Sequence, residues 1–259
     1  MDLGIAGRTA IVCASRSGLG RACAEALVQE GVHVVINGRD AARLDETAKE
    51  LRAIAKGEVR TAVGDVTTAE GRAALLAAAP EPDILINNNA GPAPRSFDDL
   101  SESDWLKAIE ANMVAPLLLT KAVIGPMKAR KFGRIVNITS AMVTTPRPHM
   151  TLSSGARAGL TAAMKGLALE LARHNVTINN LLPERFDTDR QHQMAQAAMK
   201  RENIGYEEAR ARQVASIAAR RLGDPREFGA TCAFLCSAHA GYMSGQNVHL
   251  DGGSYPALI

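Results

Sequence analysis

The apolar positions of this chain follow two periods in turn. Seven short runs rich in β-branched residues read as buried strands: "RTAIVCA" (8–14), "VHVVIN" (32–37), "EVRTAVGD" (58–65), "DILINNN" (83–89), "GRIVNIT" (133–139), "NVTINNLL" (175–182) and "QNVHL" (246–250). Between the first strands the spacing changes to that of a helix, in "GLGRACAEALVQEG" (18–31), "DAARLDETAKELRAIAKG" (40–57) and the Ala-rich stretch 68–79. Strands separated by helix-length segments predict parallel pairing through right-handed crossovers, hence one doubly wound parallel sheet flanked by helices. No repeat, low-complexity tract or linker divides residues 1–259, so a single domain is expected. "DPRE" (224–227) offers an Asp N-cap, Pro at the first helical position and Glu at the third.

One segment breaks the alternation. Residues 187–221 are long, polar and helix-prone, and they lie between a strand and the 224–227 cap. The plain account is a solvated helical excursion. A substrate lid over the carboxyl ends of the strands, where such sheets bind ligands, is the functional one and is favoured by the location.

Composition narrows the function classes. Of 259 residues 46% are apolar, enough for a sizeable core, but only 3% are aromatic. The formal charge of +3 has no concentrated basic block behind it, which argues against nucleic-acid or membrane-surface partners. Cys13, Cys23, Cys232 and Cys236 lack paired CxxC spacing and fit reduced thiols of a cytoplasmic protein. Cys232 and Cys236 fall four apart, but no His/Cys pair completes a zinc ligand set, so buried packing residues are expected and no metal. Neither a signal peptide nor an apolar run of bilayer-spanning length is read from the sequence.

The chemistry begins at "CASRSGLG" (13–20), the first strand-to-helix turn. Gly18 and Gly20 allow the tight turn and the close backbone approach that a pyrophosphate needs, with the helix N-terminus behind it. Ser15, Arg16, Ser17 and Leu19 complete that turn, and Ala14 stands where a first glycine is usual. Strand two ends "INGRD". An acid there would bind the ribose diol of NAD, but the position is Gly38, followed by Arg39, whose planar fork suits a 2′-phosphate. With Arg16 to assist, NADP(H) is expected over NAD. Two solvated arginines are the plainer account.

With these motifs in order, the sequence resembles the short-chain dehydrogenase/reductase family over nearly its whole length, notably 3-oxoacyl-acyl-carrier-protein-reductase-like members. That resemblance implies a Rossmann-like domain. It makes Asp65 of "GDV", with Val66, the adenine-side contact, and it matches "NNNAG" (87–91) to the family's Asn-Asn-Ala-Gly turn. The register is open between Asn87–Asn88 and Asn88–Asn89, with Ala90 and Gly91 following in either case. Pro183 and Thr188 of "PERFDT" correspond to the nicotinamide side, with Glu184 where Gly is usual; its carboxylate faces either that pocket or solvent. The resemblance further implies a homo-oligomer, most simply a tetramer, assembled through helices containing 101–130 and 150–173.

The same comparison implies an altered active site. Asn112 and Ser140 match the family's Asn and Ser, but Ser153 stands at its Tyr and Arg157 at its Lys. A phenol can be brought toward neutrality by a nearby cation. An aliphatic hydroxyl is a far weaker acid, and arginine does not deprotonate. Ser153 and Arg157 can hydrogen-bond a ribose and place positive charge near a developing oxyanion, yet they make a poor proton relay. His149, Tyr206 or a water held by Ser140 and Ser153 are the candidate substitute proton donors, an exposed and idle residue being the plainer account of either side chain. The reading is therefore an NADP(H)-dependent oxidoreductase of a small or medium carbonyl or secondary alcohol with an atypical site. The alternatives are a nucleotide-binding sensor or assembly subunit without redox turnover and, more remotely, a lyase or epimerase.

Overall fold

The computed structural model describes residues 1–258. Seven parallel strands form one sheet: β1 (Thr9–Val12), β2 (His33–Gly38), β3 (Val59–Val63), β4 (Ile84–Asn87), β5 (Gly133–Ile138), β6 (Val176–Pro183) and β7 (Asn247–Leu250). Their order is β3-β2-β1-β4-β5-β6-β7. The chain runs outward from β1 to β3, then crosses back to begin again at β4. The carboxyl ends of β1 and β4 therefore flank the point where the winding reverses, the place where such sheets form a ligand crevice.

Helices cover both faces. Leu27 of α1 (Gly18–Gln29), Leu44 of α2 (Ala41–Ile54) and Phe228 of α9 (Pro225–Cys236) bury one face with Val34 and Ile36. Leu75 of α3 (Ala69–Ala78), Leu119 of α5 (Ala115–Ala129) and Leu160 of α6 (Thr151–Leu171) bury the other with Ile11 and Leu85. Nearly continuous burial along β4, β5 and β6 follows from this two-sided cover. Cys23, Cys232 and Cys236 lie together in the first core; hydrogen bonding to Cys23, with burial, raises the Cys232 thiol well above its ordinary value. The Asp224 cap forms as the sequence implied: its carboxylate accepts from the Arg226 N–H while Glu227 accepts from the Asp224 N–H.

Three features differ from the sequence expectations or go beyond them. The "NNN" run leaves the sheet after Asn87. Asn87 donates to Asn137, Asn137 to Asn180 and Asn180 to Asn247, at 2.9, 2.9 and 2.8 Å, tying four adjacent strands by an amide ladder that is buried except at Asn247. Second, α4 (Glu102–Ile109) and α5 join through a wide π-turn, Glu110–Val114. The composite helix Glu102–Ala129 is long and apolar enough, by length and composition alone, to cross a membrane, whereas the sequence reading found no such run; 39% of its apolar window is buried. Third, residues 187–221 contain two helices, α7 (Asp189–Glu202) and α8 (Tyr206–Ala215).

Candidate active site

The turn after β1 is shaped by close contacts. Ala14 adopts φ 44°, a left-handed conformation in which glycine would be unstrained, and Gly18 follows at φ 60°. A Cβ on Gly20 would stand 2.6 Å from the Ala14 carbonyl oxygen and 2.7 Å from Asn88 Nδ2. Only glycine lets α1 start this near the turn. No side chain caps α1 at Ser17, so its first N–H groups are left for a ligand. Thr188 borders the same turn, its Cγ2 3.9 Å from where a Gly18 Cβ would be. This geometry fits a pyrophosphate. Ser15 serves the scaffold instead: its hydroxyl is buried, donates to the Val12 carbonyl at 2.7 Å and accepts from the Asn37 N–H at 2.9 Å.

At the end of β2, Arg16 packs over Gly38; a Cβ there would meet Arg16 Cβ and Leu44 Cδ1 at 3.4 Å. Arg39 is exposed and sits 3.5 Å from the Asp65 carboxylate. The Thr67 backbone N–H and hydroxyl, aided by Arg39, hold Asp65 below the usual carboxylate range. Val66 is buried beside it in the second core. Two cationic side chains and no acid of strand two border this edge of the crevice, the arrangement a 2′-phosphate requires.

The turn after β4 fixes the register that the sequence left open. Asn87 belongs to the strand ladder, so Asn88-Asn89-Ala90-Gly91 form the turn. Asn88 Nδ2 donates to the Ala14 carbonyl at 3.1 Å, and Asn89 Nδ2 to the Ala111 carbonyl at 3.3 Å. The second bond reaches the π-turn that carries Asn112. There Asn112 is 4% exposed, its amide donates weakly to Ala108 at 3.4 Å, and its Oδ1 has no hydrogen-bond partner. A π-turn with an orphaned buried acceptor is a local irregularity of the kind found at functional sites.

Arg157 closes the group from α6. Its Nη1 donates to the Ile138 carbonyl at 2.7 Å and its Nη2 to the Asn89 carbonyl at 3.2 Å, bridging the carboxyl ends of β4 and β5. Burial, then the charge of Arg190, pushes its pKa down to about 10, which leaves it a cation at neutral pH. Gly91 lies against it: a Cβ there would be 3.4 Å from Arg157 Nη2 and 3.8 Å from Ser153 Oγ. Ser153 is buried, and Ser140, two residues beyond Ile138, accepts from the Met142 N–H at 3.1 Å while its own proton stays available. Arg157 is thus tied to Ile138 and Asn89, and through the Asn89 side chain to Ala111 beside Asn112, with Ser140 two residues beyond Ile138 and Ser153 against Gly91.

The substitute proton donors do not join this network. His149 is exposed, with φ 63°. Tyr206 Oη lies 2.6 Å from His192 Nδ1, and His192 Nε2 is 3.4 Å from Asp187. Glu184 does not face solvent: its side chain is 3% exposed, with Arg147 at 2.8 Å and Arg185 at 3.5 Å. Pro183 is buried at the end of β6. Sequence reasoning missed Arg190, which reaches from α7 to the carbonyls of Gly91 and Pro92, both at 3.3 Å. No local spacing announces a contact across 99 residues.

Sequence and fold are shared with known proteins. A family described as Enoyl-(Acyl carrier protein) reductase matches residues 13–255. NADPH-dependent reductase BacG of Bacillus subtilis is 32% identical over 256 residues, covering 97% of this chain and 99% of that protein. Human Dehydrogenase/reductase SDR family member 4 is 32% identical over 258 residues, with 96% and 88% covered. L-sorbose reductase from Gluconobacter frateurii, solved with NADPH and L-sorbose, superposes with a TM-score of 0.94 at 27% identity over 100% of both chains.

Proposed function

The chain belongs to the short-chain dehydrogenase/reductase family, and from that premise we propose an NADPH-dependent reductase of a small carbonyl compound, with Ser153 and Arg157 standing at the family's Tyr and Lys positions. The observation that carries this reading is the hydrogen-bonded path joining Ile138, Arg157, Asn89 and Ala111 at the mouth of the crevice. NADPH, when bound, supplies the hydride. Relatives named for NADPH, and solved neighbours holding it, support that choice, as does Gly38 with Arg16 and Arg39.

Each residue then has a defined part. The Gly18–Gly20 turn and the start of α1 hold the diphosphate, and Arg39 with Arg16 the 2′-phosphate. Ser140 donates its free proton to the substrate carbonyl oxygen. Arg157, held cationic in a desolvated position, stabilises negative charge developing on that oxygen. Ser153 cannot act as an acid at neutral pH, so the proton that completes the alcohol comes from a water between the two serines. Segment 187–221 covers the substrate as a lid, supported by the Arg190 bonds to the turn after β4. Exposed Leu118 on α5 and Leu169 on α6 support assembly of a tetramer through these helices.

The test is a titration with NADPH beside a panel of small carbonyls followed by loss of NADPH absorbance. Binding with turnover is expected. Tight binding with no turnover across the panel would sink the reductase in favour of a nucleotide-binding role.

A further inference from the structure

Two guanidinium groups meet at Gly91 without a carboxylate. Arg157 reaches this turn through the Asn89 carbonyl, and Arg190 through the carbonyls of Gly91 and Pro92. Among the described residues neither pairs with an acidic side chain within 4.0 Å, and Arg190's charge acts on Arg157. Each guanidinium carries five N–H groups, and each uses two in these carbonyl bonds, so donors remain on both.

Packing alone does not account for the pair. Arg134 shows how this fold buries a purely structural arginine. It is fixed on the carbonyls of Gly133, Asn175 and Ser237 at the amino end of β5, and its cationic neighbour Arg8 is neutralised by Asp83 at 3.0 Å. Arg157 sits at the opposite, carboxyl end of the strands, where ligands enter, and its cationic neighbour has no such partner. A buried cation facing a second one is unfavourable unless an anion joins them.

We propose that the substrate of this reductase carries a carboxylate beside its carbonyl, as a 2-oxo or 3-oxo acid, and that Arg190 binds the carboxylate at Gly91 while Arg157 lies against the same glycine. This rests on the reductase reading and specifies its substrate class. Arg190 is the specificity residue: it is exposed on α7, so the charge that selects the substrate also fastens this helix over the crevice. Arginine suits the task because its planar fork matches a carboxylate in two-point contact. The cofactor diphosphate is the other anion that could reach Arg190, since Thr188, two residues earlier, borders the Gly18 turn.

Calorimetry on the protein saturated with NADP+ separates these sources without turnover. The probes are pyruvate with methyl pyruvate and acetoacetate with methyl acetoacetate, pairs that differ only at the carboxylate. In at least one pair the acid should bind about tenfold more tightly than its ester. Arg190→Gln should bring acid and ester within about twofold and leave NADP+ affinity unchanged. No acid preference in either pair would overturn the proposal. So would a loss of NADP+ affinity in Arg190→Gln, which would assign the anion to the cofactor. Absence of NADP+ binding would instead defeat the cofactor reading, and the same acid–ester pairs on the cofactor-free protein would still decide the carboxylate site.

Discussion

Replacing Arg39 by Ala should erase most of the preference for NADPH over NADH. The magnitude follows from what Arg39 does before cofactor arrives. Its side chain is 77% exposed and 3.5 Å from Asp65, a pair that contributes about 0–1 kcal/mol in such exposure. A hydrogen bond from a guanidinium to a phosphate is worth about 1.5–3 kcal/mol. If the Asp65 contact is given up, roughly 0.5–3 kcal/mol remains, a preference between about twofold and about 150-fold, centred near twentyfold. Gly38→Asp should go further and invert the preference, because its carboxylate would repel the 2′-phosphate and accept from a ribose diol. Gly38 is not in the left-handed region, and its new Cβ would meet Arg16 and Leu44 at 3.4 Å, so a small shift of Arg16 accommodates it. Fluorescence titrations with both cofactors measure the four dissociation constants needed for each variant. An Arg39→Ala protein that keeps its full preference would show that this arginine serves only Asp65.

The sequence carried the sheet more fully than the site. All seven strands were visible because each is a compact β-branched run between helical segments, and their ends agree with the structure within two residues, "DILINNN" included. There the strand stops at Asn87, because that amide is committed to Asn137 while the next two asparagines turn toward Ala14 and Ala111. The ladder has a visible trace in hindsight: Asn87, Asn137, Asn180 and Asn247 occupy matched register positions on neighbouring strands. Strand order alone makes them neighbours. Glu184 and Arg190 were illegible for a related reason. Their partners, Arg147 and the Gly91 carbonyl, are 37 and 99 residues away, and only the fold of the segment after β6 brings them together. The π-turn at Asn112 was hidden because residues 110–114 have ordinary helical composition; a widened turn depends on what it packs against.

Gly20→Ala should lower stability by about 1–3 kcal/mol and weaken NADPH binding, because its Cβ would press on the Ala14 carbonyl at 2.6 Å. A thermal melt unchanged from the parent would refute the close approach. The Asp224–Glu227 capping box should give a pH signature. Arg226 holds Asp224 at about 2 and Arg221 holds Glu227 at about 2, so their stabilisation is present above the ordinary carboxylate range and disappears as pH falls from about 4 to 2. Denaturant melts of Glu227→Gln should therefore trail the parent at pH 6 and converge with it near pH 2; a constant gap would contradict the assignment. The sharpest test of the altered site compares Arg157→Ala with Ser153→Ala. Losing a preorganised cation near a developing oxyanion costs about 100- to 1,000-fold in rate, whereas a neutral hydroxyl bond is worth about 1 kcal/mol, or roughly fivefold. Arg157→Ala also leaves the Ile138 and Asn89 carbonyls without their donor, so its rate must be measured where circular dichroism shows it folded. If Ser153→Ala alone abolished turnover while folded Arg157→Ala stayed nearly normal, the buried guanidinium would be a brace between β4 and β5, and the hydroxyl would be carrying the chemistry.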